Sequence, residues 1–122
     1  MSKTVMIIDD SASVRQVAAI ALKAAGYGVI EAVDGKDALD KLDRQKIHLI
    51  ISDVNMPNMD GITFVNEAKK LAAYKFTPII MLTNDTGEYE KQGNQAVGAK
   101  VWIVKPFQPA KMLAAVSKLI LP

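Results

Sequence analysis

The chain contains no cysteine, one histidine and one tryptophan among its 122 residues. Without cysteine there can be no disulfide staple and no thiolate metal site, a composition that fits the cytosol. Charge of one sign is scarce too: 15 Lys and Arg against 13 Asp and Glu leave a formal charge of +2. That balance, with no cluster of Lys and Arg on one expected face, gives no electrostatic footprint for nucleic acid. Long hydrophobic runs are also missing. The run Val5–Ile8 near the N-terminus stops at two aspartates, too short for a signal-peptide core or a membrane span. These absences lead to the expectation of a cytoplasmic protein that needs neither membrane nor nucleic acid; a monomer is expected.

What is present is apolar surface in a regular arrangement. Half of the residues are hydrophobic, enough for a chain of this length to bury a core without staples. One domain across residues 1–122 is expected, with no output domain after it. Short apolar runs suited to buried strands occur at Val5–Ile8, Val29–Ala32, His48–Ser52, Pro78–Leu82 and Val101–Val104. Between them lie helical stripes. Val14, Val17, Ala18, Ala21, Leu22 and Ala25 form the first, with Ser11 or Ser13 as its cap and Gly26 or Gly28 as its end. Ala38, Leu39 and Leu42 mark a short helix after Asp34-Gly35, and Phe64, Val65, Ala68, Leu71 and Ala72 mark another. Glu88–Val97 reads as a weakly held helix with a poor stripe. The last helix starts near Pro109 and turns Met112, Leu113, Val116 and Leu119 inward.

This alternation predicts an α/β fold with a parallel sheet, in which ligands bind beyond the carboxyl ends of the strands. The expected strands end in Asp9-Asp10, Asp53, Thr83 and Lys105. Three carboxylates, a hydroxyl and an ammonium would therefore meet at one sheet edge. Two carboxylates about 6 Å apart, at an effective dielectric near 20, repel by roughly 3 kcal/mol. Such a cluster shifts its pKa values or recruits a cation. Oxygen donors with no His or Cys beside them favour a hard ion, and Mg2+ is the common choice for phosphate chemistry. Each residue alone has a plainer reading: an Asp after a strand caps helices, and a Lys before a proline is an ordinary loop residue. Their conjunction at successive strand ends carries the argument.

Four stretches, MIIDDS, SDVNMPNMDG from Ser52 to Gly61, MLTND, and AVGAKVWIVKPF from Ala96 to Phe107, together resemble a response-regulator receiver domain of the chemotaxis, CheY-like kind. The resemblance covers the whole chain. It implies a doubly wound, flavodoxin-like sheet of five parallel strands in the order 2-1-3-4-5 with helices on both faces; that order comes from the resemblance, not from the periodicity. It implies Asp53 as the phosphoacceptor for a histidine kinase, with Mg2+ bound by Asp10, Asp53 and the backbone carbonyl of Asn55, and by Asp9 mainly through water. Lys105 would pair with the phosphoryl oxygens and Thr83 would donate its hydroxyl to them. The Lys105–Pro106 bond is expected to be cis. Thr83 and Trp102 are the implied switch pair, with Trp102 turning inward after phosphorylation.

Asn55, Asn84 and Asp85 occupy positions that tune rates in such domains. Asn84 stands where a small residue is usual, which would narrow access to the site. Asp85 could orient water, so a phosphate lasting seconds to minutes is expected. The implied partners are a chemotaxis-type kinase, a flagellar motor switch protein and a phosphatase. A phosphorelay intermediate or a phosphate sink would use the same architecture. A haloacid-dehalogenase hydrolase also combines an Asp nucleophile with Mg2+, but carries a DxD pair and usually a cap domain, against adjacent Asp9-Asp10 here. A flavin carrier is disfavoured by the acidic first loop. His48 and the turn methionines Met56 and Met59 read as structural, and Tyr27, Tyr74 and Tyr89 follow no interpretable pattern.

Overall fold

A computed structural model of the chain describes residues 3–42, 45–83 and 101–120. Five strands, β1 (Thr4–Ile8), β2 (Gly28–Ala32), β3 (Leu49–Asp53), β4 (Ile79–Thr83) and β5 (Val101–Val104), alternate with helices α1 (Ala12–Ala24), α2 (Gly35–Leu42), α3 (Gly61–Lys69) and α4 (Pro109–Leu119). The strands form one parallel sheet in the order β2-β1-β3-β4-β5, as the resemblance implied. The Glu88–Val97 helix expectation lies outside the described residues.

Strand side chains alternate between two cores, following the period of two along each strand. Met6, Ile8, Ile50, Ile79 and Met81 face Ala38 and Leu42 of α2 and Phe64, Val65 and Ala68 of α3. Val5, Ile7, Leu49, Ile51, Ile80 and Leu82 face Ala18 and Leu22 of α1 and Met112 and Val116 of α4. β1, β3 and β4 have no solvent face, which explains their continuous apolar runs. Burying each large aliphatic side chain there stabilises the fold by roughly 1.5–3 kcal/mol.

At the ends of α1 the structure selects among the expected residues, and at β4 the boundary moves for a physical reason. Ser11 is the α1 cap, its hydroxyl accepting from Val14 N, and Gly26 at φ +96° turns the chain away after α1. β4 starts at Ile79, not Pro78: proline has no N–H for the ladder, and its carbonyl instead accepts from Ile50 N at 3.0 Å. β3 and β4 end at Asp53 and Thr83, as expected, and both residues belong to the strands themselves.

The α1 stripe is narrower than read from the sequence. Val17 is 47% exposed, because one helical residue turns a side chain through about 100° and Ala18 takes the inward direction. Leu71 and Ala72 do not continue α3. The helix ends at Lys69, Leu71 is 44% exposed, and a 3-10 turn at Ala72–Tyr74 brings Tyr74 into the core instead. The Tyr74 hydroxyl lies against the carbonyls of Leu42 and Gln45.

His48 precedes β3 rather than starting it. Its N–H donates to Thr4 O at 2.8 Å, and its Nδ1 accepts from Thr4 N at 2.9 Å. The ring therefore extends the pairing of β1 with β3 by one residue, at the sheet edge opposite the aspartates.

Candidate functional site

Register determines which groups meet. Ile8 pairs with Ser52 and Asp53 with Leu82, so Asp9 emerges beside Asp53, while Thr83 pairs with Val104, the residue before Lys105. Asp9, Asp10 and Asp53 each present a carboxylate oxygen within 4.8 Å of the others, a spacing able to hold a metal ion. Asp9 and Asp53 are buried and Asp10 is exposed. The cluster thus has two walls and one open side.

Lys105 crosses into this cluster. Its ammonium lies 2.8 Å from Asp9 Oδ2 and 3.1 Å from Asp53 Oδ1. The backbone amide of Lys105 donates to Thr83 O at 2.8 Å, which anchors the residue at the end of β4. The Lys105–Pro106 peptide is cis, as expected. Asp9 is held from further sides: its Oδ1 accepts from Ser11 N at 2.9 Å, and its carbonyl accepts from the Arg15 guanidinium at 2.7 Å. So Asp9 both braces the turn into α1 and, with Asp10 and Asp53, builds the cluster.

The charges do not balance. Burial, and next the charge of Asp9, push the Asp53 carboxyl above the ordinary carboxylate range, and Lys105 offsets this only in part. For Lys105, burial favours the neutral form, but the bond to Asp9 and the charge of Asp53 outweigh it and raise its pKa. Excess negative charge on oxygen donors suits a hard divalent cation.

Thr83 is buried at the end of β4 beside this cluster. Trp102 pairs in register with Met81 and packs, half-buried, against the core on the α2–α3 face. Asn55 is exposed two residues beyond Asp53, and Met56 and Met59 pack against the same core, as expected of structural residues. Asn84 and Asp85 lie outside the described residues.

Some contributors were given no role by the sequence reading. Gly61 approaches so closely that a Cβ there would lie 1.9 Å from Asp53 O, and its N–H donates to Val54 O at 2.8 Å. Only a glycine lets α3 start against the back of Asp53. Ser52 donates to Asp53 O at 2.9 Å, and Arg15 spans from Asp9 O to Glu31, with Nε 3.4 Å from its carboxylate. An Asp-Gly pair before an apolar stripe could have pointed to Gly61; nothing local marks Arg15.

Comparison with known proteins agrees with this geometry. The model of the family described as response regulator receiver domain matches residues 5–117. Protein PilG of Pseudomonas aeruginosa is 38% identical over 112 residues, covering 92% of this chain and 83% of PilG. Chemotaxis protein CheY1 of Helicobacter pylori is 36% identical, covering 85% and 86%. The solved structure of the chemotaxis response regulator CheY4 of Vibrio cholerae superposes with a TM-score of 0.91 at 44% identity, covering 98% of this chain and 99% of that one. The chain spans about half the length, 49% and 50%, of two matched transcriptional regulatory proteins. Among the described residues no helix is long and apolar enough to cross a membrane. A matching family model over almost the full length, a shared strand order and an acidic pocket at the expected strand ends converge: the chain belongs to the response regulator receiver domain family, in its CheY-like form.

Proposed function

We propose that Asp53 is the phosphoacceptor of this receiver, taking a phosphoryl group from the phosphohistidine of a histidine kinase with Mg2+ bound beside it. Receiver domains of the CheY-like kind accept phosphate from histidine kinases. The single observation that carries the assignment here is the meeting of Asp9, Asp10, Asp53 and Lys105 at one sheet edge. Asp53 Oδ attacks phosphorus, the P–N bond breaks, and the imidazole leaves and regains a proton. Asp10, Asp53 and the Asn55 carbonyl would hold Mg2+ directly and Asp9 would do so mainly through water. The ion would neutralise charge on the phosphoryl oxygens and on the carboxylates. Lys105 is already in place to pair with a phosphoryl oxygen, and Thr83 is the neighbouring hydroxyl donor.

Phosphorylation adds up to two negative charges and several acceptors in this pocket. Thr83 is drawn toward them, and Trp102 follows from its half-buried position into the space released. Asn55, Asn84 and Asp85 set the rate at which water removes the phosphate. The output is protein binding in the cytoplasm. The chemotaxis descriptions of CheY1 and CheY4 support a chemotaxis kinase upstream; in this reading a flagellar motor switch protein lies downstream and a phosphatase resets the system.

Intact-protein mass spectrometry after incubation with acetyl phosphate tests the chemistry. The expected result is a Mg2+-dependent phosphoryl adduct, absent from Asp53→Asn and decaying over seconds to minutes. An adduct that persists on Asp53→Asn would rule out Asp53 as the acceptor. For the partner, phosphate-dependent co-purification with a motor switch protein is expected, and equal capture of Asp53→Asn would exclude that output.

A further inference from the structure

The loop between β3 and α3, residues 54–60, leaves Asp53 directly and is tied down twice. Its base is closed by Val54 N donating to Leu82 O at 3.0 Å and Gly61 N donating to Val54 O at 2.8 Å. Its tip is tied to a different segment, the turn between β2 and α2. There the Asn58 side-chain amide donates to Asp34 Oδ2 at 2.8 Å, and Gly35 N donates to Met59 O at 3.1 Å. The fit is close, since a Cβ on Gly35 would meet Met59 O and Met59 Cγ at 2.8 Å.

Asp34 has two separable tasks. Its Oδ1 accepts from Asp37 N at 2.8 Å, capping α2, while Oδ2 reaches across to Asn58. It is 7% exposed, and the bond from Asp37 N, with the one from Asn58, holds its carboxyl below the ordinary range. Asn58 has φ +67°, a left-handed conformation that Asn and Gly tolerate. Backbone shape alone would allow glycine; only Asn also supplies the donor.

We propose that Asp34 and Asn58 form a latch that positions the β3–α3 loop, and through it the Asn55 carbonyl, so that the pair sets Mg2+ affinity without touching the ion. The proposal rests on the Mg2+ site assigned above. Asp34 and Asn58 are positioning residues: groups that orient metal ligands from behind change affinity more than they change the ligand set. α2 is thereby coupled to the pocket, since one carboxylate serves both its cap and the latch.

Two substitutions isolate the latch. Asn58→Gly keeps the left-handed backbone and removes the donor. Asp34→Ser keeps a cap oxygen for Asp37 N and removes the second oxygen. In Mg2+ titrations each variant is expected to bind about tenfold more weakly than wild type, with the rate of acetyl phosphate transfer at saturating Mg2+ unchanged. The double variant should bind no more weakly than either single one, because both remove the same bond. Without metal, the Gly35 amide should exchange its hydrogen faster in Asn58→Gly than in wild type. Unchanged Mg2+ affinity in both variants, beside a wild type that binds, overturns the latch. Additive weakening in the double variant overturns the pairing. A wild type that binds no Mg2+ sinks the site assignment, and the latch with it.

Discussion

Lys105 and Asp53 stand 3.1 Å apart although β5, which Lys105 follows, and β3, which Asp53 ends, are separated in the sheet by β4. The lysine reaches over the end of β4 and contacts Asp9 in the same position, at 2.8 Å. One ammonium thus serves two buried carboxylates before any phosphate arrives. A phosphoryl group on Asp53 would meet a cation that is already oriented.

Removing that cation leaves Asp9 and Asp53 buried without a counter-charge. Lys105→Ala is expected to destabilise the Mg2+-free protein by about 3 kcal/mol, measured by urea denaturation, with part of the loss restored by Mg2+. Equal stability of the variant and wild type in chelator would show that the ion pairs contribute nothing net.

Asp53 also makes stability depend on pH. Its folded pKa is raised above the ordinary 3.8, so the folded chain keeps that proton to higher pH than the unfolded chain. The stability it contributes is fully present below the ordinary value and is lost as pH rises through the raised one. In Mg2+-free buffer near neutral pH, Asp53→Asn should therefore melt a few degrees above wild type. The gap should close as pH falls toward the ordinary carboxylate range, or when Mg2+ is added. A lower Tm for Asp53→Asn at neutral pH would contradict this.

His48 gives the opposite slope. Burial, then the charges of Lys3 and Lys46, lower its pKa, and Nδ1 must stay unprotonated to accept the bond from Thr4 N. Its contribution is present above the ordinary value of 6.5 and is lost as pH falls through the lowered one. His48→Asn should flatten the change in stability across that interval, read from thermal melts. A slope identical to wild type would assign the pH dependence to other groups.

Gly61→Ala places a Cβ 1.9 Å from Asp53 O, a backbone atom that has nowhere to go. A loss of at least about 3 kcal/mol is expected, by chemical denaturation. Gly28→Ala is the control, since its nearest atom is the Thr4 hydroxyl oxygen at 3.3 Å and the next lies at 3.8 Å. Comparable losses for both would mean that α3 shifts freely away from β3.

Trp102 is the single tryptophan, and it is half-buried on β5 as the register partner of Met81. Phosphorylation should change its fluorescence, and Thr83→Ala should blunt that change without abolishing the adduct. An unaltered emission on a fully phosphorylated chain would remove Trp102 from the switch.

The sequence by itself determined the alternation of strands and helices, the two-faced burial of β1, β3 and β4, and the identity of the groups at the strand ends. Those features are local. A period of two or 3.6 follows from backbone geometry, and a strand end is marked by where an apolar run meets a polar residue. Only the tertiary structure decided which groups touch. Lys105 bridging Asp9 and Asp53, Asn58 reaching Asp34, Gly61 against Asp53, and Tyr74 replacing Leu71 in the core depend on sheet register and on loop paths across distant segments. The raised pKa of Asp53 belongs to the same class, because burial and the field of Asp9 exist only once separate strands lie side by side.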